Sequence, residues 1–218
     1  MYASSSSFVS HAFAGSQPPS MHGSLLPDDP AAILSRAGAT GPIVVWSGTL
    51  ADEPFGIDPR TWLPPARQRA RENCAELCRL AAMQGRPVWL RPHARHAVGD
   101  LAITANWCIT PPGENFRILL DPASLLTEQM LPFASDHLTR IFLAAAGNFL
   151  APRLGGIVLA NLLRAGSAPA HSTLAIDDGQ PLILTAPSDP SGLLPADLLA
   201  SLLASLPGPS SLPRFVVT

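Results

Sequence analysis

At 218 residues the chain is long enough for one domain with a substantial core, and 47% of it is hydrophobic against 14% charged. All 14 basic residues are arginines, scattered along a chain of net charge −2, which excludes the concentrated cationic footprint of a nucleic-acid binder. No apolar run reaches the roughly 18 to 20 residues that cross a bilayer; the longest candidate, Ile141 to Leu163, is broken by Gly147, Asn148, Pro152 and Arg153.

Residues 1–29 are rich in Ser, Pro and Gly and read as a flexible N-terminal segment ahead of one domain over 30–218. Phe8 to Phe13 is the only stretch of it with the look of structure. Asp29-Pro30 then opens a short helix over Ala31 to Ala37, with aspartate as N-cap, proline at the first helical position and Gly38 as the stop. Pro42 to Trp46 is a short buried strand that ends at Ser47-Gly48. A polar, proline-broken loop from Ala51 to Leu63 leads into the clearest helix, Pro65 to Gln84. Its Ala70, Cys74, Leu77, Cys78 and Ala81 recur at helical spacing, and Gly85 closes it.

The strand Val88 to Leu90 follows at once. Asp100 caps a helix through Cys108, and Pro111-Pro112-Gly113 turns the chain into the strand Phe116 to Leu120. Ser135-Asp136 begins a helix to Ala146, Gly155 to Leu159 is a fourth buried strand, and residues 164–180 read as loop. Leu182 to Leu184 is a short strand, Pro195 to Leu206 a helix and Phe215 to Val217 a terminal strand. Strands apolar on both faces, alternating with helices, predict an α/β fold with a parallel sheet.

Two of these strands carry the chemistry. Pro87 to His93 and Asn115 to Pro122 each end abruptly in charged residues beside a proline, as a buried parallel strand does where it opens into a functional loop. Arg91, His93, Arg95 and His96 cluster at the first end, Asp121 at the second. One reading is an anion pocket, with guanidinium groups gripping a phosphate or carboxylate. The other is that Arg91 pairs with Asp121 across adjacent strands while the remaining residues are solvated. A zinc site from His93, His96 and Asp121 is a third arrangement that suits the ligand types. His11, His137 and His171 read as tail, helix-start and linker residues. Trp46, Trp89 and Trp107 read as core, with Trp46 placed to stack on a sugar face. Ser47-Gly48 lacks a base partner, and no nucleophile elbow, dinucleotide fingerprint or P-loop occurs. Cys74, Cys78 and Cys108 form no metal motif, and an odd cysteine count without a leader predicts a cytoplasmic setting.

In order, these segments resemble the xylose-isomerase-like family of TIM barrels, which includes sugar-phosphate isomerases and epimerases. Gly38 to Gly48 is similar to its third strand, Arg86 to His93 to its fourth and Phe116 to Ser124 to the strand ending Leu-Asp-Pro. Gly156 to Asn161 stands where the family has a His-x-His-x-Lys-Asp strand, and Pro195 to Val217 is similar to the last helix and strand. The resemblance implies a parallel (β/α) TIM-barrel-like fold. A complete barrel takes about 250 residues, so an incomplete or degenerate barrel is expected.

It also implies a divalent metal (Mn, Mg, Co or Zn) at the strand ends of any active member, polarising a sugar carbonyl while a base moves a proton. Here Arg91 replaces the metal-binding glutamate, Ser124 and Leu159 stand at histidine positions, and only Asp121 keeps its acid. The resemblance therefore implies a protein that has lost metal-dependent isomerisation and binds instead, holding a small sugar or anionic ligand through Arg91, His93, Arg95, His96 and Trp46. The alternative is an active isomerase or epimerase with a rearranged site, using Asp121 and His93 as catalytic candidates with His96, Glu53 or Glu114. A second copy or a partner chain over an open barrel edge is the further partner implied.

Overall fold

The structure, a computed structural model, describes residues 16–164, 182–187, 189, 191–204 and 213–216. Six strands form one wholly parallel sheet. They are β1 (Gly23–Ser24), β2 (Ile43–Trp46), β3 (Val88–Arg91), β4 (Phe116–Leu120), β5 (Leu154–Leu159) and β8 (Arg214–Val216), neighbours in that order. Between β5 and β8 lie β6 (Asn161–Arg164) and β7 (Leu182–Thr185), a separate antiparallel pair. The helices are α1 (Pro30–Arg36), α2 (Pro64–Ala82), α3 (Leu101–Ile109), α4 (Ala134–Ala145) and α5 (Ala196–Ala204).

Local chemistry sets these boundaries. Asp29 Oδ1 accepts from the amides of Ala31 and Ala32 at 2.7 and 3.2 Å, so α1 starts where the aspartate-proline pair places it. Asp100 Oδ1 does the same for α3 through Ile103 N at 2.8 Å. The helix α2 starts on Pro64 and Pro65 without a side-chain cap, and buries Ala66, Ala70, Cys74, Leu77, Cys78 and Ala81 as one stripe. Gly85 follows it at φ 65°, a conformation that costs glycine little. No helix among the described residues is long and apolar enough to cross a membrane.

Strand alternation divides the core in two. Ile43, Val45, Val88, Leu90, Phe116, Ile118, Leu120, Ile157 and Leu159 pack with the helices. Val44, Leu119 and Val158 face the other way and meet Met21, Trp89 and Phe215, which fill the lumen. The register shifts between Ile118 and Leu119, so Leu154 and Gly156 are the β5 partners and Gly155 is the extra residue of a bulge. A Cβ on Gly155 would lie 2.7 Å from the Trp89 ring, and one on Gly156 2.7 Å from the Phe215 ring. The glycines make room for the two aromatic rings inside the barrel.

Among the described residues no ladder joins β8 to β1, and the barrel is open. One segment nevertheless touches both edges. Ser16 N donates to Arg214 O at 3.2 Å and Val216 N to Ser16 O at 2.7 Å, while His22 N donates to Val44 O at 2.8 Å. The loose segment expected over 1–29 is therefore corrected from residue 16 onward. Composition pointed to a tail, but Leu25 and Leu26 are buried and Gly23–Ser24 pairs with β2. Residues 1–15, with Phe8 to Phe13 and His11, lie outside the described residues, as does His171.

Candidate functional site at the strand mouth

The same alternation that fills the lumen sends Trp46, Arg91 and Asp121 to its C-terminal mouth. Trp46 is two residues beyond Val44, Arg91 two beyond Trp89, and Asp121 two beyond Leu119. Trp46 and Arg91 are register partners on β2 and β3. Arg91 is 6% and Asp121 0% exposed, so neither charge is solvated.

Asp121 is engaged through both oxygens. Its Oδ2 accepts from Arg91 Nε at 3.0 Å, from Arg91 Nη2 and from Ser124 Oγ, and its Oδ1 accepts from Ser124 N at 3.2 Å. Three of the four donors converge on Oδ2, the oxygen that faces the guanidinium. The Arg91 guanidinium also lies 4.8 Å from the Trp46 ring centroid, a cation–π contact on its open face. Of the two sequence readings of Arg91, pairing with Asp121 is the one formed.

Trp46, Phe55, His93 and His96 close over this pair as an aromatic box. Trp46 meets His93 and His96 edge-on, each at 5.3 Å, and Phe55 stacks on His96 at 5.3 Å and 7°. The two imidazoles are 4.7 Å apart. His93 Nδ1 accepts from Arg95 N at 3.1 Å, which leaves the ring proton on Nε2. His96 Nε2–H donates to Pro54 O at 2.7 Å, and His96 Nδ1 is buried with no partner among the described residues. Burial pushes the His96 pKa down to about 4, so the ring is neutral at physiological pH.

The structure thus gathers Trp46, Arg91, His93, Arg95, His96 and Asp121 at one mouth, but buries them rather than presenting them. Ser124 serves Asp121. Leu159 packs among the helices, and Asn161 clamps the chain, its Oδ1 accepting from Leu194 N and its Nδ2 donating to Leu194 O, both at 2.8 Å. Glu114 precedes β4 and is at the opposite end of the barrel, where it faces Arg153, so it is no part of a rearranged site. Glu53 is exposed on the loop after β2. Ser47 Oγ accepts from Val98 N at 2.8 Å, a structural bond.

The open space lies beside the box. A cavity of about 490 Å³ is bounded by His22, Ser24, Asp28, Arg36, Trp46 and Asp52. His22 Nδ1 takes the Val44 amide at 2.9 Å in place of a backbone carbonyl. Burial first, and the charge of Arg86 second, lower its pKa. No periodicity in the sequence marks His22; Gly23–Ser24 is too short a strand to announce itself.

No family model matches the chain, and no curated protein matches it in sequence. Solved structures do match in shape. The probable 3-DHS dehydratase AsbF from Bacillus anthracis, involved in petrobactin synthesis, superposes with a TM-score of 0.54 at 15% identity. The match covers 86% of this chain and 60% of that one. At that identity the likeness is one of fold alone, a parallel β/α barrel of the TIM type. A xylose isomerase domain containing protein from Salmonella typhimurium superposes on this barrel at TM-score 0.44 and 15% identity, over 84% of this chain and 56% of its own. A xylose isomerase-like TIM barrel protein from Mycobacterium smegmatis, solved with magnesium, gives 0.44 and 14% over 79% and 53%. The chain thus spans little more than half the length of these barrels.

The residues at this mouth do not fit a divalent ion. Among the described residues no three His, Cys, Asp or Glu side chains converge to hold one. Asp121, the acid that the described strand ends bring to the mouth, already accepts from Arg91 and Ser124 on its two oxygens. The zinc arrangement of His93, His96 and Asp121 is likewise not formed.

Proposed function

We propose that this barrel is a small-molecule-binding protein that does not carry out metal-dependent sugar isomerisation. The observation that carries the reading is Arg91 on Asp121. A guanidinium placed where a cation would sit repels that cation and fills the carboxylate that would hold it. The ligand is a small sugar or anion held in the 490 Å³ cavity, with Trp46 as its apolar wall and Arg36 and His22 as its polar partners.

Two measurements on the purified chain test this. Elemental analysis and calorimetry at neutral pH are expected to give no stoichiometric Mn, Mg, Co or Zn and no saturable heat. Metal that survives dialysis would overturn the reading and reinstate an isomerase. A panel of sugars and sugar phosphates, followed by tryptophan fluorescence, is expected to give a saturable change that Trp46→Phe removes. A flat response across the panel would reject the ligand class.

A further inference from the structure

A second cavity, of about 300 Å³, lies outside the barrel mouth between the start of α3 and the middle of α4. Its size is at the low end for ligand pockets. The floor is Leu125 and Leu126, the stretch directly after the Asp121–Ser124 turn, and the walls are Leu101, Met130 and Ile141. Leu126 is wholly buried and Leu125 and Ile141 nearly so, which makes the interior apolar and fixed.

The rim carries two basic side chains on one side. His137 and Arg140 stand three residues apart on α4, hence on one face of that helix, and both line the cavity. Neither side chain has a hydrogen bond or ion pair among the described residues, although most other described guanidiniums are engaged. The one acid at the rim, Asp100, is across the opening with its Oδ1 on the Ile103 amide at the start of α3. A ligand's negative end therefore has one favourable side, α4, and its apolar end has one favourable direction, the Leu125–Leu126 floor.

The geometry points to a binding site for a short amphipathic carboxylate, with its chain on Leu101, Leu125, Leu126, Met130 and Ile141 and its carboxylate on Arg140 and His137. The site is separate from the cavity beside Trp46 and does not depend on the reading given to that cavity. Ala94 and Gly99, on its inner wall, belong to the same loop as His93 and His96. A bound chain would touch the outer side of the segment that closes the barrel mouth.

Octanoate is the probe, with octanol as its uncharged match. Methyl-labelled methionine gives a separate reporter for each cavity: Met130 lines this one and Met21 the other. Octanoate is expected to shift the Met130 methyl resonance saturably and leave Met21 in place. Octanol should bind more weakly, and Arg140→Gln, an exposed position, should cost octanoate roughly ten-fold or more, the scale of a charge-assisted hydrogen bond. No Met130 shift at millimolar octanoate would overturn the site. Octanol binding as tightly as octanoate, or affinity unchanged in Arg140→Gln, would overturn the recognition of a carboxylate.

Discussion

Arg91 directs both Nε and Nη2 to a single oxygen of Asp121, Oδ2, on which Ser124 Oγ also converges. Both partners are buried, and the bond joins the end of β3 to the turn after β4. A charge pair in such a place contributes little net stability over a well-packed apolar pair, but losing one partner strands the other without water.

That asymmetry gives the first prediction. Asp121→Asn preserves shape and leaves the guanidinium buried without a counter-charge, so it should cost about 3–5 kcal/mol in urea denaturation. Replacing both residues, as Arg91→Met with Asp121→Leu, should cost clearly less than the two single changes added together. A loss below about 1 kcal/mol for Asp121→Asn would mean the pair does not hold the mouth.

His96 makes stability depend on pH. Its folded pKa is about 4, below the ordinary 6.5, so between those values the unfolded chain binds the proton and the folded chain does not. The stability it contributes is complete above about pH 6.5 and is lost as pH falls toward 4. The charged groups beside the box are the Arg91–Asp121 pair and Arg95, and His22, also lowered, acts in the same direction. Comparison with His96→Gln isolates the His96 share. The variant's melting temperature should fall less than that of the parent between pH 6.5 and 4; parallel curves would remove His96 as the cause.

Much of this was legible in the sequence, for physical reasons that differ by residue. The strand Phe116–Leu120 and the buried stripe from Ala70 to Ala81 are local patterns, and hydrophobic periodicity finds them. The convergence of Arg91 and Asp121 followed from two strand ends, each marked by charge beside proline. What escaped depends on distant partners. Arg86 is buried at 5% exposure and donates to the carbonyls of Ala37, Gly38, Thr40 and Gly41, an architectural cation that no local pattern reveals. Gly23–Ser24 is a strand only because Val45 and Trp46 lie beside it. Asn161 became a clamp because the chain after β5 turns into an antiparallel pair instead of the next barrel repeat.

The edge of β1 that has no ladder among the described residues is met from within the chain. Arg36 Nε donates to His22 O at 2.9 Å, Ser24 N donates to Asp28 Oδ2 at 2.8 Å, and Arg36 and Asp28 pair at 2.9 Å. A strand edge whose polar groups are taken offers little to a second chain. Arg36→Ala frees the His22 carbonyl and should promote concentration-dependent association, seen as a rising mass in light scattering. Its effect on monomer stability should be within about 1 kcal/mol, because the ion pair is partly exposed. A variant that remains monomeric at high concentration would show that the edge is guarded by something else.

The lumen sets the last constraint. Among the described residues six inward side chains fill a sheet of six strands, and Trp89 and Phe215 are too large to fit beside anything but glycine on β5. At Gly156 the added methyl would meet the Phe215 ring at 2.7 Å, the Pro213 carbonyl at 3.2 Å and Leu119 Cδ1 at 3.3 Å, so the ring cannot yield without disturbing its neighbours. Gly156→Ala should therefore destabilise by about 1–3 kcal/mol, the usual scale of overpacking, although alanine is otherwise the better residue for a chain to order. Pairing it with Phe215→Leu should recover part of that loss, because the smaller side chain vacates the contested space. If Gly156→Ala alone proves neutral, the lumen is looser than the packing of Trp89, Leu119 and Phe215 implies, and the barrel would have room for a ligand along its axis.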